Sequence, residues 1–466
     1  MHACLIAGTH SGAGKTLWTL AMCRLARRKG ISVQPYKAGP DYIDTGFHHA
    51  VAAPRKSRNL DLFLLSADEV KKIFERNTEG AGLAIVEGVM GLFDGVDPLA
   101  DGETAKLAKL LKLPVVLVVD GGSYASSLAA LVLGFQKMDP ELNLAGIVIN
   151  RLKSQGHFDW LKKSVEGKTG IPCLGWLPSE ETFSIPERHL GLTSAVEMPG
   201  WMEKIEKAAD KLEKNLDWER FVEATGQSSF GDRFKNLSPN GNAPPRPPKD
   251  GPVRRFVTGN GKCTIGIAYD EAFSFYYEDN FDYLKAAGAC LVFFSPLHDS
   301  TLPENLDLLY FGGGFPEMHA LALSKNAGMI QSVRNFYQNG GFIYGECGGL
   351  IYLTEAFCDV PGKEYPLAGL VPGKIRMTQK LQHFGYHEIT AVHDSFLFSK
   401  GQKLRSHEFH YSVWEKRDTE SPVYTIGGRQ EGWAQDRLLT SYQHLHFGTD
   451  PGIVKRLVNS LEKTHA

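Results

Sequence analysis

Two clusters of residues have the types and spacing to do chemistry. The first is Gly8-Thr9-His10-Ser11-Gly12-Ala13-Gly14-Lys15-Thr16, which sits between an apolar run and an amphipathic stretch. Glycines let successive backbone N–H groups converge on phosphate oxygens, and a helix N-terminus adds partial positive charge. Thr9, Ser11, Gly12, Ala13 and Gly14 would line such a cradle. Lys15 would reach the β- and γ-phosphates, and the Thr16 hydroxyl would ligate Mg²⁺. The second cluster is Phe342-Ile343-Tyr344-Gly345-Glu346-Cys347-Gly348-Gly349-Leu350, an apolar strand running into a glycine-flanked cysteine and then a helix. Small neighbours permit the strained turn of a nucleophile elbow, and a helix N-terminus lowers a thiol's pKa. A base is still required. Ser441-Tyr442-Gln443-His444-Leu445-His446-Phe447 offers two histidines. Gly312-Gly313-Gly314 follows another strand, and amides there, at Gly314, and at Gly348 could form an oxyanion hole.

Carboxylates accompany the phosphate loop. The segments 36–46 (YKAGPDYIDTG) and 86–95 (VEGVMGLFDG) each follow a predicted strand, where ligands of open α/β sheets sit. Mg²⁺ prefers hard oxygen donors, so Asp41 and Glu87 suit it beside Thr16. Asp44 and Asp94 could position a substrate, complete the metal site, or simply cap turns. Asn150, ending a predicted strand, could meet an adenine edge or serve as a turn residue. His407 and His410, in Ser406-His407-Glu408-Phe409-His410-Tyr411-Ser412, could contact a polyanionic substrate or form a structural polar cluster.

The elements that must position these residues follow from periodicity. Continuous apolar runs at 3–7, 32–36, 83–87, 114–120, 144–150 and 172–177 read as strands covered on both faces. Helical stretches at 16–29 and 105–112 lie between them, so a parallel α/β sheet with right-handed crossovers is expected. A further helical region covers 201–222. The same style returns at 264–269, 290–294, 306–311 and 342–344. Between the halves, SPNGNAPPRPPKDGP (238–252) carries six of the chain's 24 prolines and reads as an exposed linker. The expected organisation is 1–225, a linker at 226–260, and 261–466.

Composition narrows the function classes. The 466 residues carry 51 Lys+Arg against 53 Asp+Glu, a net charge of −2 that argues against a nucleic-acid-binding protein. Hydrophobic residues make up 42%, yet the longest apolar run is far short of the roughly 20 residues that span a bilayer. The seven cysteines are scattered without a CxxC pair, so free thiols in a reducing compartment are expected. No leader is evident at MHACLIAG, and a cytoplasmic location is expected.

The phosphate loop departs from G-x-x-x-x-G-K-[ST], because Gly8 stands one place early and Thr9 occupies the expected glycine position. It resembles the dethiobiotin-synthetase-like branch of P-loop proteins. The Cys347 segment, the Gly312–Gly314 turn and the downstream histidines resemble a class I glutamine amidotransferase domain. That resemblance selects His444 as the base. Many such domains follow the histidine with Pro-Glu; here Leu445-His446 follows, so the third member of the triad is missing or comes from elsewhere.

Taken together, the segments GTHSGAGKT, KAGPDYIDTGFH, SRNLD, VEGVMGLFDG, IPERHLGL, DEAFSFYYEDN, FFSPLHD, FGGGFPE, ECGGLIYL and SHEFHYS resemble the ring-amidating amidotransferases of cobalamin biosynthesis. They span nearly the whole chain outside the linker. The resemblance implies ATP- and glutamine-dependent amidation of the a- and c-carboxylates of cobyrinate, a corrinoid tetrapyrrole, with Mg²⁺ and through an acyl phosphate. Relatives of that family act on hydrogenobyrinate or Ni-sirohydrochlorin. VMGLFDG favours the corrin branch. The reading from a different class is a regulatory P-loop ATPase with an inactive amidotransferase domain.

Overall fold

The computed structural model describes residues 2–95, 102–179, 200–226, 261–415 and 421–462, together with the backbone of 187–188 and 191–192. The expected linker lies outside the described residues from 227 onward, as do residues 185, 186, 189 and 190 of IPERHLGL. The chain divides into two compact units, Met1–Leu62 with Ser66–Pro247, and Phe63–Leu65 with Pro248–Ala466.

The first unit is built on β1 (His2–Gly8), β2 (Val33–Ala38), β3 (Arg58–Leu60), β4 (Leu83–Glu87), β5 (Val115–Asp120), β6 (Leu144–Leu152) and β7 (Cys173–Pro178). They lie in the order β3-β2-β4-β1-β5-β6-β7 and every pair is parallel. Strands such as LAIVE and VVLVVD are apolar at nearly every position because helices cover both faces. β1 is central, with β4 on one side and β5 on the other, so the loop leaving it emerges where an open α/β sheet binds ligands. That loop feeds α1 (Lys15–Arg28), whose Trp18, Leu20 and Leu25 join Ile6, Phe47, Ile85 and Val116 in one core. Burial of each large side chain there contributes about 1.5–3 kcal/mol. Register then sets up the site. Glu87, the last residue of β4, pairs with Ile6 on β1 and with Lys37 on β2.

The predicted strands of this half all form; 83–87 coincides with β4, and the others differ by a residue or two at their ends. The sequence reading missed β3, whose three residues are too few for a periodic signal. The expected helix at 201–222 is two, Trp201–Asn215 and Trp218–Thr225, because the Asp217 side chain accepts from Arg220 N and starts the second.

The second unit has a six-stranded sheet. Its order is Ala289–Phe294, Cys263–Ala268, Leu308–Phe311, Phe342–Glu346, Leu438–Ser441 and Trp433–Gln435. The first five are parallel and the last is antiparallel. Apolar clusters cover both faces, one around Ile265, Tyr310 and Leu457, the other around Phe311, Leu350 and Met329. Two four-stranded sheets between residues 354 and 431 were not foreseen. Their strands alternate buried and exposed positions, as in Lys403–His410, and carry too many polar residues to stand out as apolar runs. All seven cysteines are free and buried. Among the described residues no helix is long and apolar enough to cross a membrane.

Candidate active site

In the first unit, the loop between β1 and α1 is shaped by its glycines. Gly14 has φ +98°, and a Cβ there would stand 2.1 Å from Asn150 Nδ2. No other residue fits that position. Asn150 Nδ2 donates to Ala13 O at 2.8 Å, and its Oδ1 accepts from the Trp18 indole. Its amide therefore braces the phosphate loop from below. Arg151 donates to Gly12 O at 2.8 Å and pairs with Asp120. Thr9 Oγ1 lies 2.9 Å from His10 Nδ1, and Ser11 and Gly12 are exposed at the loop's crest.

Lys15 Nζ donates to Met90 O at 2.5 Å, which draws the turn after β4 against the loop. Burial and the neighbouring Lys37 push the Lys15 ammonium down, while Glu87, Asp44 and Asp94 pull it back up. Below it lies a buried charge cluster. Lys37 Nζ donates to Asp44 and, at 2.9 Å, to Glu87 Oε1. Thr16 Oγ1 donates to the same Glu87 oxygen at 2.6 Å, and His48 Nε2 lies 2.7 Å from Glu87 Oε2. Burial alone would raise the Glu87 carboxyl; Lys37 and His48 outweigh it and hold the group well below the usual carboxylate range. Burial and Asp41 raise Asp44 instead, against Lys37, so of the two acids Asp44 is the one that retains a proton more readily.

The remaining acids have local work. Asp41 Oδ1 accepts from the amides of Ile43 and Asp44 at 2.8 and 2.9 Å, capping α2 (Ile43–Ala52). Asp94 Oδ2 accepts from Gly91 N at 2.7 Å, closing the turn beside the loop. For Mg²⁺, Thr16 and Glu87 present hard oxygens of the kind the ion takes, with the Glu87 oxygens held here by Lys37, Thr16 and His48. No group of three or more His, Cys, Asp or Glu among the described residues makes a cage. Phosphate oxygens and water would complete the coordination, as is usual for this ion. Lys37 and His48 escaped the sequence reading as site residues. The signal for Lys37 was slight: a lysine just past the predicted strand 32–36, which the structure buries within β2 (VQPYKA).

In the second unit, the strand Phe342–Glu346 ends at Cys347, whose φ of +47° is strained for a residue with a side chain. Its N–H is anchored to Ser441 O at 2.7 Å, and the Gly348 amide hydrogen-bonds to its sulfur. Burial pushes the thiol up, and Glu317, Glu408 and Glu346 add to this. The expected lowering by a helix N-terminus is not seen. The helix that follows, Gly348–Leu353, has only six residues and cannot offset a buried site lined by acids.

His444, the expected base, is 3% exposed. Its backbone exchanges two hydrogen bonds with His407, at 2.8 and 3.2 Å. Its ring lies against Gly313, where a Cβ would come within 2.3 Å of Cε1. A Cβ on Gly348 would in turn stand 3.1 Å from Gly314 N and 3.3 Å from Gly313 C. The glycine turn thus lies between the residue after Cys347 and the His444 imidazole. Gly314 itself has φ +156°, with Ala272 O only 2.0 Å from a notional Cβ. Glu346 Oε2 lies 3.7 Å from His444 Nδ1, a neighbour that the sequence reading did not single out. His407 and His410 lie in a buried polar network: His410 stacks on Tyr442 at 3.6 Å and contacts Glu408 at 3.0 Å, which also pairs with Arg429.

Comparison with known proteins adds to this geometry. Residues 4–192 match the CobQ/CobB/MinD/ParA nucleotide binding domain, and residues 264–452 match the CobB/CobQ-like glutamine amidotransferase domain. The chain is 40% identical over 471 residues to the cobyrinate a,c-diamide synthase of Salmonella typhimurium, covering 97% of each chain. It is 39% identical to that of Listeria innocua (98% of this chain, 99% of the relative). To that of Caldanaerobacter subterraneus subsp. tengcongensis it is 38% identical (98% and 97%).

Proposed function

Because the chain belongs to the cobyrinate a,c-diamide synthase family, we propose that it uses ATP and glutamine to convert the a- and c-carboxylates of cobyrinate into amides. A carboxylate is a poor electrophile at neutral pH. Transfer of the ATP γ-phosphoryl group to one of its oxygens releases ADP and leaves an acyl phosphate. Ammonia attacks that carbonyl, phosphate departs, and one proton is released to solvent or to a nearby base.

The residues divide this work. The amides of residues 9–16 cradle the triphosphate, and Lys15 stabilises charge on the transferring group. Thr16 and Glu87 are the residues that would hold Mg²⁺, which when bound neutralises phosphate charge. Lys37 keeps Glu87 ionised for that purpose. Asp44, buried against Lys37, would help position the substrate beside the loop. In the other unit, Cys347 attacks the side-chain amide carbon of glutamine. Its proton passes to His444 and then to the departing nitrogen, which leaves as ammonia. Water clears the thioester to glutamate. The Gly314 and Gly348 amides receive the oxyanion.

The observation that supports this reading best is the convergence of Cys347, His444 and the Gly313–Gly314 turn in a chain whose other half carries a phosphate loop over a buried Lys–Glu pair. The test is incubation with cobyrinate, ATP, Mg²⁺ and glutamine, followed by mass analysis for two successive replacements of OH by NH2. Hydrogenobyrinate and Ni-sirohydrochlorin serve as competitors. ATP hydrolysis with no amidation of any of the three rings would reject the proposal in favour of a regulatory ATPase.

A further inference from the structure

We infer that Glu346 is the positioning carboxylate of the glutaminase half, holding His444 in the orientation from which it takes the Cys347 proton. The inference rests on the reading of Cys347 and His444 as nucleophile and base.

A histidine base works when its distal nitrogen faces the nucleophile and its proximal N–H is fixed by an acceptor. Downstream sequence supplies no acceptor, since Leu445 and His446 follow His444. The acceptor comes from the nucleophile strand instead. Tyr344 and Glu346 are two residues apart on that strand and so share a face. Tyr344 OH donates to Glu346 Oε1 at 2.6 Å, and Leu445 N donates to the same oxygen at 3.3 Å. With Oε1 so held, Oε2 is turned to His444 Nδ1 at 3.7 Å. Both side chains are almost wholly buried, at 3% and 2% exposure. That separation is longer than a hydrogen bond, and such contacts often tighten only when substrate is bound.

The ring has little freedom to do otherwise. Gly313 lies against Cε1, the atom between the two ring nitrogens. Nδ1 faces Glu346, so Nε2 is the nitrogen assigned to the thiol in this inference. Glu408, another acid acting on Cys347, is already engaged: it contacts His410 at 3.0 Å, His387 at 3.2 Å and Arg429 at 2.7 Å. Placing the carboxylate one residue before the nucleophile also links the two functions mechanically. The turn at Cys347 brings the thiol to the Gly348 amide, while the strand keeps Glu346 on the Tyr344 face. In the reaction the Sγ–H proton moves to Nε2 as the Sγ–C bond forms. It then moves to the leaving nitrogen as the C–N bond breaks. The proton on Nδ1 stays between the imidazole and Glu346 throughout.

The test compares Glu346→Gln and Glu346→Asp with the native enzyme, using glutamine and ammonium as separate nitrogen donors. Glutamine keeps the shape and the Tyr344 contact but removes the charge. Glu346→Gln is expected to lower glutamine-dependent kcat by roughly 10²–10⁴-fold. The KM for glutamine and the ammonium-dependent rate should stay near native values. Glu346→Asp, which restores a carboxylate, is expected to recover about tenfold or more of the loss. Native glutamine turnover in Glu346→Gln would overturn the inference. So would a parallel loss of ammonium-dependent activity, or an aspartate variant no better than the glutamine one. If the native enzyme itself releases no glutamate, or Cys347→Ala releases as much, the glutaminase reading fails instead, and that outcome is distinct.

Discussion

Replacing Lys37 by methionine tests how the charge cluster under the phosphate loop is balanced. In the folded protein the Lys37 ammonium is 3% exposed and sits between two buried acids, Asp44 and Glu87. Burial disfavours the ammonium, but the two acids reverse this and push it above its ordinary range. Removing the cation leaves the fully buried Glu87 carboxylate with His48 and Thr16 as its remaining partners. Breaking a buried pair from one side costs about 3–5 kcal/mol, because an uncompensated charge stays behind. For a unit of this size that corresponds to a fall in Tm of about 6–20 °C. The pH dependence carries the sign. Without Lys37, burial raises the Glu87 carboxyl in the folded state above its unfolded value, so the native variant binds more protons than its unfolded chain. Its deficit relative to the native sequence should therefore shrink on going from about pH 8 to about pH 5. Thermal unfolding of the two proteins at several pH values is the assay. A variant as stable as the native protein at neutral pH, or a deficit independent of pH, would refute the charge assignment.

Further expectations address each site separately. Lys15→Ala should abolish amidation with either glutamine or ammonium, because both donors need the activated carboxylate; steady-state rates with each donor check this. Gly313→Ala places a methyl 2.3 Å from His444 Cε1, so glutamate release should fall by roughly 10²-fold or more while the ammonium-dependent rate persists. Burial, with His444 and His387, lowers the His407 imidazole to about 3, so the native state refuses a proton that the unfolded chain accepts below its ordinary value of 6.5. Stability should accordingly fall as pH drops below about 6.5, by up to about 1.4 kcal/mol per pH unit. His407→Gln should flatten that slope, measured by urea unfolding.

The parts of the molecule that were legible in the sequence are those in which one short segment carries the whole signal. Residues 3–16 spell a strand, a glycine loop and a helix start, and 342–350 spell a strand, a turn and a glycine-flanked cysteine. What stayed hidden depends on register between distant strands. Lys37 and Glu87 become neighbours because β2 and β4 pair in one particular alignment, which neither segment encodes alone. Glu346 fell past the expected strand 342–344 and was given no role; its relation to His444 exists only once the strand Phe342–Glu346 lies beside Leu438–Ser441. The direction of the Cys347 thiol was misjudged for the same reason. The acids that raise it, Glu317 and Glu408, come from other parts of the chain. Short polar strands between 354 and 431 left no periodic trace because their buried positions alternate with charged ones.

Amidation by Cys347→Ala, measured side by side with glutamine and with ammonium as the nitrogen source, tests the division of labour most directly. Loss of the glutamine-dependent reaction with the ammonium-dependent one preserved is the expected result. Equal failure of both in a folded variant, or full glutamine use without the thiol, would contradict it.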